Sequence, residues 1–209
     1  MAYITDVREL RGLMEISADG SVLLRVRKKH FEKLPVHPGE ELDPEEYLDR
    51  LAGIQFPDAY EAALTSLDFS ARTAREIGQA LRRKGYVQPA IDAVVARLTE
   101  SRLIDDRRYA ERLAETTARK PVGVYAMKRK LKAKGISDED AEAALGAFDE
   151  AQQRQAARAA AEKLARKYAD MPVREGKAKL SQALARRGFP WDAVKEAVEA
   201  ALGDDGWEE

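Results

Sequence analysis

A mainly α protein is predicted by this sequence: an elongated array of three tandem three-helix units of helix-turn-helix type behind a small N-terminal domain with a β-hairpin. Three observations predict it. Helical segments ending in glycine recur at intervals near 50 residues. The chain from Ala59 to Leu202 is almost free of strand-like alternation. The first 58 residues, in contrast, hold two short strand-like segments around an Asp-Gly pair.

The head comes first. "LMEIS" (13–17) and "SVLLRVR" (21–27) are rich in strand formers, and Asp19-Gly20 between them tolerates positive φ. A hairpin is expected there, joined by a further strand near Ile4–Arg8. The acidic cluster "GEELDPEEYLDRL" follows. Asp43-Pro44-Glu45-Glu46 spells a helix start, with a capping acid, Pro at the first helical position and acids near the positive dipole end. A cation site is the competing reading, and no separate ligand cluster completes one. A short helix is therefore expected to close a domain spanning 1–58.

The remainder repeats. "IGQALRRKG" (77–85), "MKRKLKAKG" (127–135) and "LSQALARRG" (180–188) share one template: an apolar residue, Leu four positions on, and Gly four beyond that. The apolar pair lies on one helix face, the Gly suits a left-handed helix terminus, and the basic residues of the last turn favour the negative dipole end. Gly85, Gly135 and Gly188 are 50 and 53 positions apart, and Pro121-Val122 recurs as Pro172-Val173 after 51. Units are expected at 59–104, 105–150 and 151–202, with an acidic tail at 203–209. Their helices are expected near 59–69, 73–84 and 87–100, then 106–118, 122–134 and 137–148, then 152–169, 173–187 and 190–202. Thr73 with Glu76 forms a capping-box pattern. Units of this kind bury their apolar edges against neighbours, and a period near 50 excludes the common 33–34-residue helical repeats.

Charge has a direction along the chain. Residues 1–58 carry 8 Lys/Arg against 12 Asp/Glu, and residues 59–202 carry 28 against 21. The second helix of each unit holds most of the bases: Arg82, Arg83 and Lys84; Lys128, Arg129, Lys130, Lys132 and Lys134; Lys177, Lys179, Arg186 and Arg187. The helices after the glycines are poorer in base or acidic, with Asp138, Glu139, Asp140 and Glu142, then Asp192, Glu196 and Glu199. A recognition helix in that position would turn carboxylates toward phosphates, so base-specific readout is not expected. Two readings of the basic helices stand: a stripe for a phosphate backbone or an acidic protein surface, or bases that only complement helix dipoles and solvate the surface.

Other classes are excluded. There is no Cys, hence no disulfide framework, thiol nucleophile or thiolate metal site. No apolar run approaches the ~18 residues of a membrane span, and "MAYITDVREL" lacks the pattern of a signal peptide. A cytoplasmic, monomeric protein without cofactor, metal or membrane contact is expected. No phosphate loop, dinucleotide fingerprint, H-E-x-x-H or G-x-S-x-G motif occurs, and the only histidines, His30 and His37, sit in the head. Catalysis is not expected. The pair Asp105-Asp106 in "LIDDRRYAERL" invites an active-site reading. Adjacent helical side chains diverge by about 100°, so the two do not converge on one atom. Asp105 instead stands where an N-cap belongs, Asp106 near the positive dipole end, and Tyr109 and Leu113 share one face.

The run "RTAREIGQALRRKGYVQPAIDAVVARLTESRLIDDRRYAERL" resembles the core of the RecX family, bacterial regulators of the RecA recombinase. The family's motifs correspond here to Arg72-Thr73, Glu76-Ile77, Leu81 to Gly85, Ile104-Asp105-Asp106 and Tyr109-Ala110. "LKAKGI" and "ARRGF" match in the second and third units, so the resemblance covers about residues 60–202. Thr73 stands where Ser is usual, which keeps the capping hydroxyl, and "LTSLDFSA" lacks the Arg-rich approach often found before it. The head looks like the hairpin-bearing extension of some members. The resemblance implies a protein that lies along the groove of the RecA nucleoprotein filament, blocks its extension or promotes its disassembly, and so controls recombination and the SOS response. It implies no catalysis, ATP hydrolysis belonging to RecA. Arg72, Arg82, Arg83, Lys84, Lys128, Arg129, Lys132, Lys134, Arg186 and Arg187 are the residues assigned to the filament or to DNA phosphates. A non-specific DNA-binding helical protein acting without RecA is the alternative.

Overall fold

Two turns whose residues take positive φ organise the N-terminal sheet. Arg11 and Gly12 (52° and 81°) join β1 (Ala2–Leu10) to β2 (Leu13–Ala18), and Asp19 and Gly20 (51° and 78°) join β2 to β3 (Ser21–Arg27). Paired positive φ gives a turn whose twist matches that of the strands it connects. The second turn is the one expected from Asp19-Gly20. The structure, a computed structural model, describes residues 1–118, 120–146 and 148–203. The acidic tail, apart from Gly203, lies outside the described residues.

All pairing in the sheet is antiparallel, in the order β3-β2-β1-β4. The edge strand β4 (Glu41–Leu42) pairs with Ala2 and Tyr3. At two residues it is too short to show alternation, so nothing in the sequence announces it. A four-residue helix α1 (Lys28–Phe31) follows β3. Ile4, Ile16 and Val26 are fully buried and share a core with Tyr47 and Leu51 of α2 (Pro44–Phe69). His30 is fully buried and places Nε2 2.8 Å from Asp58 Oδ2, and Lys29 pairs with the same carboxylate. Hydrogen bonds with Lys29 and His30 hold the Asp58 carboxyl down at about 2, and they tie α1 to α2.

The acidic cluster is structural. Asp43 Oδ1 accepts from the Glu45 and Glu46 backbone N–H at 2.9 and 3.4 Å, and Glu40 accepts from the His37 backbone N–H at 2.9 Å. The separate helix expected from residue 59 is instead the second half of α2, a single 26-residue helix passing through Pro57. Proline there removes one helical N–H and crowds the carbonyl four residues back, at a typical cost of ~3 kcal/mol. A continuous buried face offsets it: Tyr47 and Leu51 pack under the sheet, and Ala59 and Ala63 pack in the first repeat. Long-range burial, which the local pattern does not report, carries the helix past the breaker.

The chain divides into two units, at Asp105. The first unit adds α3 (Ala74–Arg83) and α4 (Gln88–Glu100) to the sheet and α2. Thr73 and Glu76 form the expected capping box, with both reciprocal bonds at 3.2 Å. Gln55, buried on α2, accepts from the Val87 N–H at 2.8 Å and so caps α4, whose own N-cap residue has no capping side chain. Gln55→Leu leaves that buried donor without a partner. An orphaned buried N–H typically costs about 1–3 kcal/mol, so a lower thermal midpoint is expected, read by far-UV circular dichroism. An unchanged midpoint would remove Gln55 from the capping role.

The second unit, from Asp106, contains α5 (Asp106–Ala118), α6 (Val124–Ala133), α7 (Asp138–Leu145), α8 (Glu150–Ala165), α9 (Val173–Arg186) and α10 (Trp191–Leu202). Two cores form, one of α5–α7 around Ala110, Met127, Leu131 and Ile136, and one of α8–α10 around Leu180, Leu184, Phe189 and Val194. Helix α6 begins two residues later than expected. Its N-cap, Gly123, is engaged by the turn between α9 and α10. Ile104 closes the core of the first repeat, while Tyr109 and Ala110 enter that of the second, with Asp106 in the first turn of α5.

Candidate interface for an anionic partner

Each glycine that ends a second helix is left-handed: φ is 80° at Gly85, 83° at Gly135 and 82° at Gly188. The chain reverses there, and the basic last turns of α3, α6 and α9 are brought to the surface. In the first unit Arg82, Arg83 and Lys84 are exposed. Arg82 donates from Nη2 to Gln88 Oε1 at 2.6 Å, which fixes it over the start of α4. The Lys84 carbonyl accepts from Arg27 Nε at 2.9 Å, and the Arg27 guanidinium lies 5.2 Å from the centre of the Tyr86 ring. Arg27 thus joins this basic end, although β3 and α3 are far apart in sequence. Arg72 does not join it. It stands before the other end of α3, half-buried, and donates from Nε to the Ser66 carbonyl at 3.2 Å. That bond ties down the C-terminal turn of α2.

In the second unit Met127 and Leu131 set the buried side of α6. At about 100° per residue, Tyr125, Lys128, Arg129 and Lys132 then fall within one outward arc of about 100°. All four are exposed. Lys134 lies nearer the buried side, half-exposed, its Nζ 6.0 Å from the Tyr109 ring centre. Lys128 pairs with Glu142 of α7 at 3.3 Å. The acids of α7 thus temper this face without covering it, and Ser137 and the first-turn acids serve the start of α7.

The third repeat reaches the same place through backbone. The Arg187 carbonyl accepts from the Gly123 N–H at 3.0 Å, and the Gly188 carbonyl accepts from the Tyr125 N–H at 3.0 Å. Arg129 donates from Nη2 to the Arg186 carbonyl at 3.4 Å. Buried Gln153 of α8 accepts from the Val124 N–H at 2.9 Å. The free N–H groups at the start of α6 are therefore capped by the α9–α10 turn and by α8. Two glycines permit the approach: a Cβ on Gly123 would overlap the Gly188 carbonyl, and one on Gly188 would fall 2.6 Å from Ala126 Cβ.

This joint brings Arg129 beside exposed Arg186, adjacent to Lys128 and Lys132. Arg187 turns back, donating from Nη1 to the Ala183 carbonyl at 3.2 Å. Lys177 does not contribute to a surface stripe because it is buried, and Lys179 pairs with Glu175 at 2.6 Å. Two exposed aromatics near the joint, Tyr125 and Trp191, were not singled out by the sequence pattern. Tyr125 carries one signal that reveals it, its position four residues before Arg129 on the basic arc. Arg27 carries none, because its proximity to Lys84 is purely tertiary.

Comparison with known proteins bears on all three repeats. Family models described as the first, second and third three-helix domains of RecX match residues 59–98, 105–145 and 150–198. The regulatory protein RecX of Bacillus licheniformis is 29% identical over 214 residues, an alignment covering 100% of this chain and 81% of that one. The RecX of Chlorobaculum tepidum is 35% identical over 148 residues, covering 70% of this chain and 90% of the other. A crystal structure of regulatory protein RecX superposes with a TM-score of 0.66 at 26% identity, covering 94% and 98% of the two chains. RecX from Lactobacillus salivarius gives 0.63 at 30% identity, covering 70% and 96%. No helix among the described residues is long and apolar enough to cross a membrane.

Proposed function

The chain belongs to the RecX family of regulatory proteins, and from that premise we propose that it binds the RecA nucleoprotein filament and lowers RecA's recombinase and ATPase activity. The observation that carries the proposal is the joint between the second and third repeats. It sets Lys128, Arg129, Lys132 and Arg186 together on one surface. A second basic end, Arg82 to Lys84 with Arg27, lies in the first unit. Two cationic surfaces on one chain, one in each unit, suit a partner that presents acidic or phosphate groups repeatedly, because each further weak contact acts at high effective concentration. Regulation of this kind takes place in the cytoplasm, acts on recombination and the SOS response, and needs no cofactor of its own.

Purified protein is expected to slow RecA-driven strand exchange and single-strand-dependent ATP hydrolysis at concentrations below those of RecA. Strand exchange unaffected at equimolar protein would sink the proposal. One observation favours a second reading, DNA binding without RecA: the exposed rings of Tyr125 and Trp191 suit stacking on single-stranded bases. A salt titration of DNA affinity with and without RecA separates the two, since independent binding shows the same steep slope in both.

A further inference from the structure

The face of the N-terminal sheet turned away from its core is cationic, which the acidity of the head as a whole conceals. Residues 1–29 hold six Lys/Arg against four Asp/Glu, and residues 30–58 hold two against eight. Pairing register sets Arg8, Glu15 and Arg25 in one row across β1, β2 and β3. Glu15 is only 1% exposed. Its Oε1 accepts from Arg8 Nε at 2.9 Å and Nη2 at 2.6 Å, and its Oε2 accepts from Arg25 Nε at 2.7 Å. One carboxylate thus orients two arginines whose side chains remain 58% and 59% exposed. Arg27 follows Arg25 on the same face of β3, about 7 Å further along, anchored through Nε to the Lys84 carbonyl. In all three arginines the protein engages Nε, and in Arg27 the Tyr86 ring also lies against the guanidinium, 5.2 Å from its centre. Among the described residues no partner takes Arg8 Nη1 or either terminal nitrogen of Arg25 and Arg27. Asp6, near Arg8 on β1, offsets charge at that end. The excess therefore concentrates on Arg25, Arg27 and the adjoining Arg83 and Lys84.

We propose that this face is a contact surface for the phosphate backbone of DNA. Guanidinium forks match phosphate oxygens in pairs. The buried carboxylate and the helix-end carbonyl hold the side chains in place before binding, which lowers the ordering cost. The surface extends the proposed function by adding a DNA contact inside the regulated complex. Its test uses naked DNA, so that the two ideas fail separately.

The full chain carrying Arg25→Ala and Arg27→Ala is titrated with a labelled single-stranded oligonucleotide by fluorescence anisotropy across a salt series. With two phosphate contacts gone, the slope of log affinity against log salt is expected to flatten by about 1.4, at ~0.7 per contact. Glu15→Gln supplies the second arm. It keeps every arginine and adds one net positive charge, so attraction by charge alone tightens binding, whereas loss of the shared anchor weakens it; weaker binding is expected. An unchanged slope and affinity in the folded double variant overturns the proposal. So does tighter binding by Glu15→Gln, or a defect seen only against the RecA filament, which reassigns the face to a protein partner. Loss of DNA binding in the double variant of a protein that has no effect on RecA leaves this surface standing and removes the filament reading.

Discussion

Gly188→Ala is expected to destabilise the second unit by about 3 kcal/mol, roughly twice the effect of Gly85→Ala. Two costs combine at Gly188. A side chain at φ 82° costs roughly 1–2 kcal/mol in the left-handed region. The new Cβ also meets Ala126 with 2.6 Å to its Cβ and 2.8 Å to its Cα, and overpacking of that kind typically costs about 1–3 kcal/mol. At Gly85 φ is 80° and nothing lies within 4 Å of the added Cβ, so only the first cost applies. The same template position thus separates conformational strain from steric exclusion. Thermal unfolding of both variants, followed by circular dichroism, makes the comparison. Equal shifts would mean that the α9–α10 turn moves aside freely and that the joint is not tightly packed.

Charge reversal at Lys128, Arg129 and Lys132 is expected to weaken inhibition of RecA ATP hydrolysis by on the order of a hundredfold, the scale of an avidity gain lost with one contact surface. The three side chains lie on the exposed arc of α6, opposite Met127 and Leu131, so their reversal leaves the core intact. Arg129 also donates to the Arg186 carbonyl, and its reversal disturbs the joint as well as the surface. The double reversal of Lys128 and Lys132 keeps that bond and serves as the control for it. Reversing Lys128 places an acid near Glu142, a small effect for two exposed groups. Unchanged inhibition by the folded triple variant would reject this face as the contact.

Much of the helical pattern is legible in the sequence because its signals are local. Asp43-Pro44, Thr73 with Glu76, and the three glycines each act within a few residues of a helix end, and the structure places caps and left-handed termini there. The limits of α5 follow from the pattern around Asp106, and Tyr109 and Ala110 stand in its core as their spacing implies. The pattern misplaces what burial decides. The boundary expected between residues 58 and 59 is crossed by α2. Lys177 reads as surface charge and is buried, and β4 is too short to register.

The candidate surfaces divide in the same way. Which helices are basic was determined by sequence alone: three glycine-ended segments at a spacing near 50, each with bases in its last turn, and a hairpin announced by Asp19-Gly20. Which bases stand together was decided only by tertiary structure. Arg129 meets the Arg186 carbonyl because Gly123 and Gly188 let two backbones touch. Arg27 meets the Lys84 carbonyl, and Arg8 and Arg25 share Glu15, through contacts between separate elements. Caps and turns depend on residues a few positions apart, whereas these encounters depend on packing between distant segments, and no local period records them.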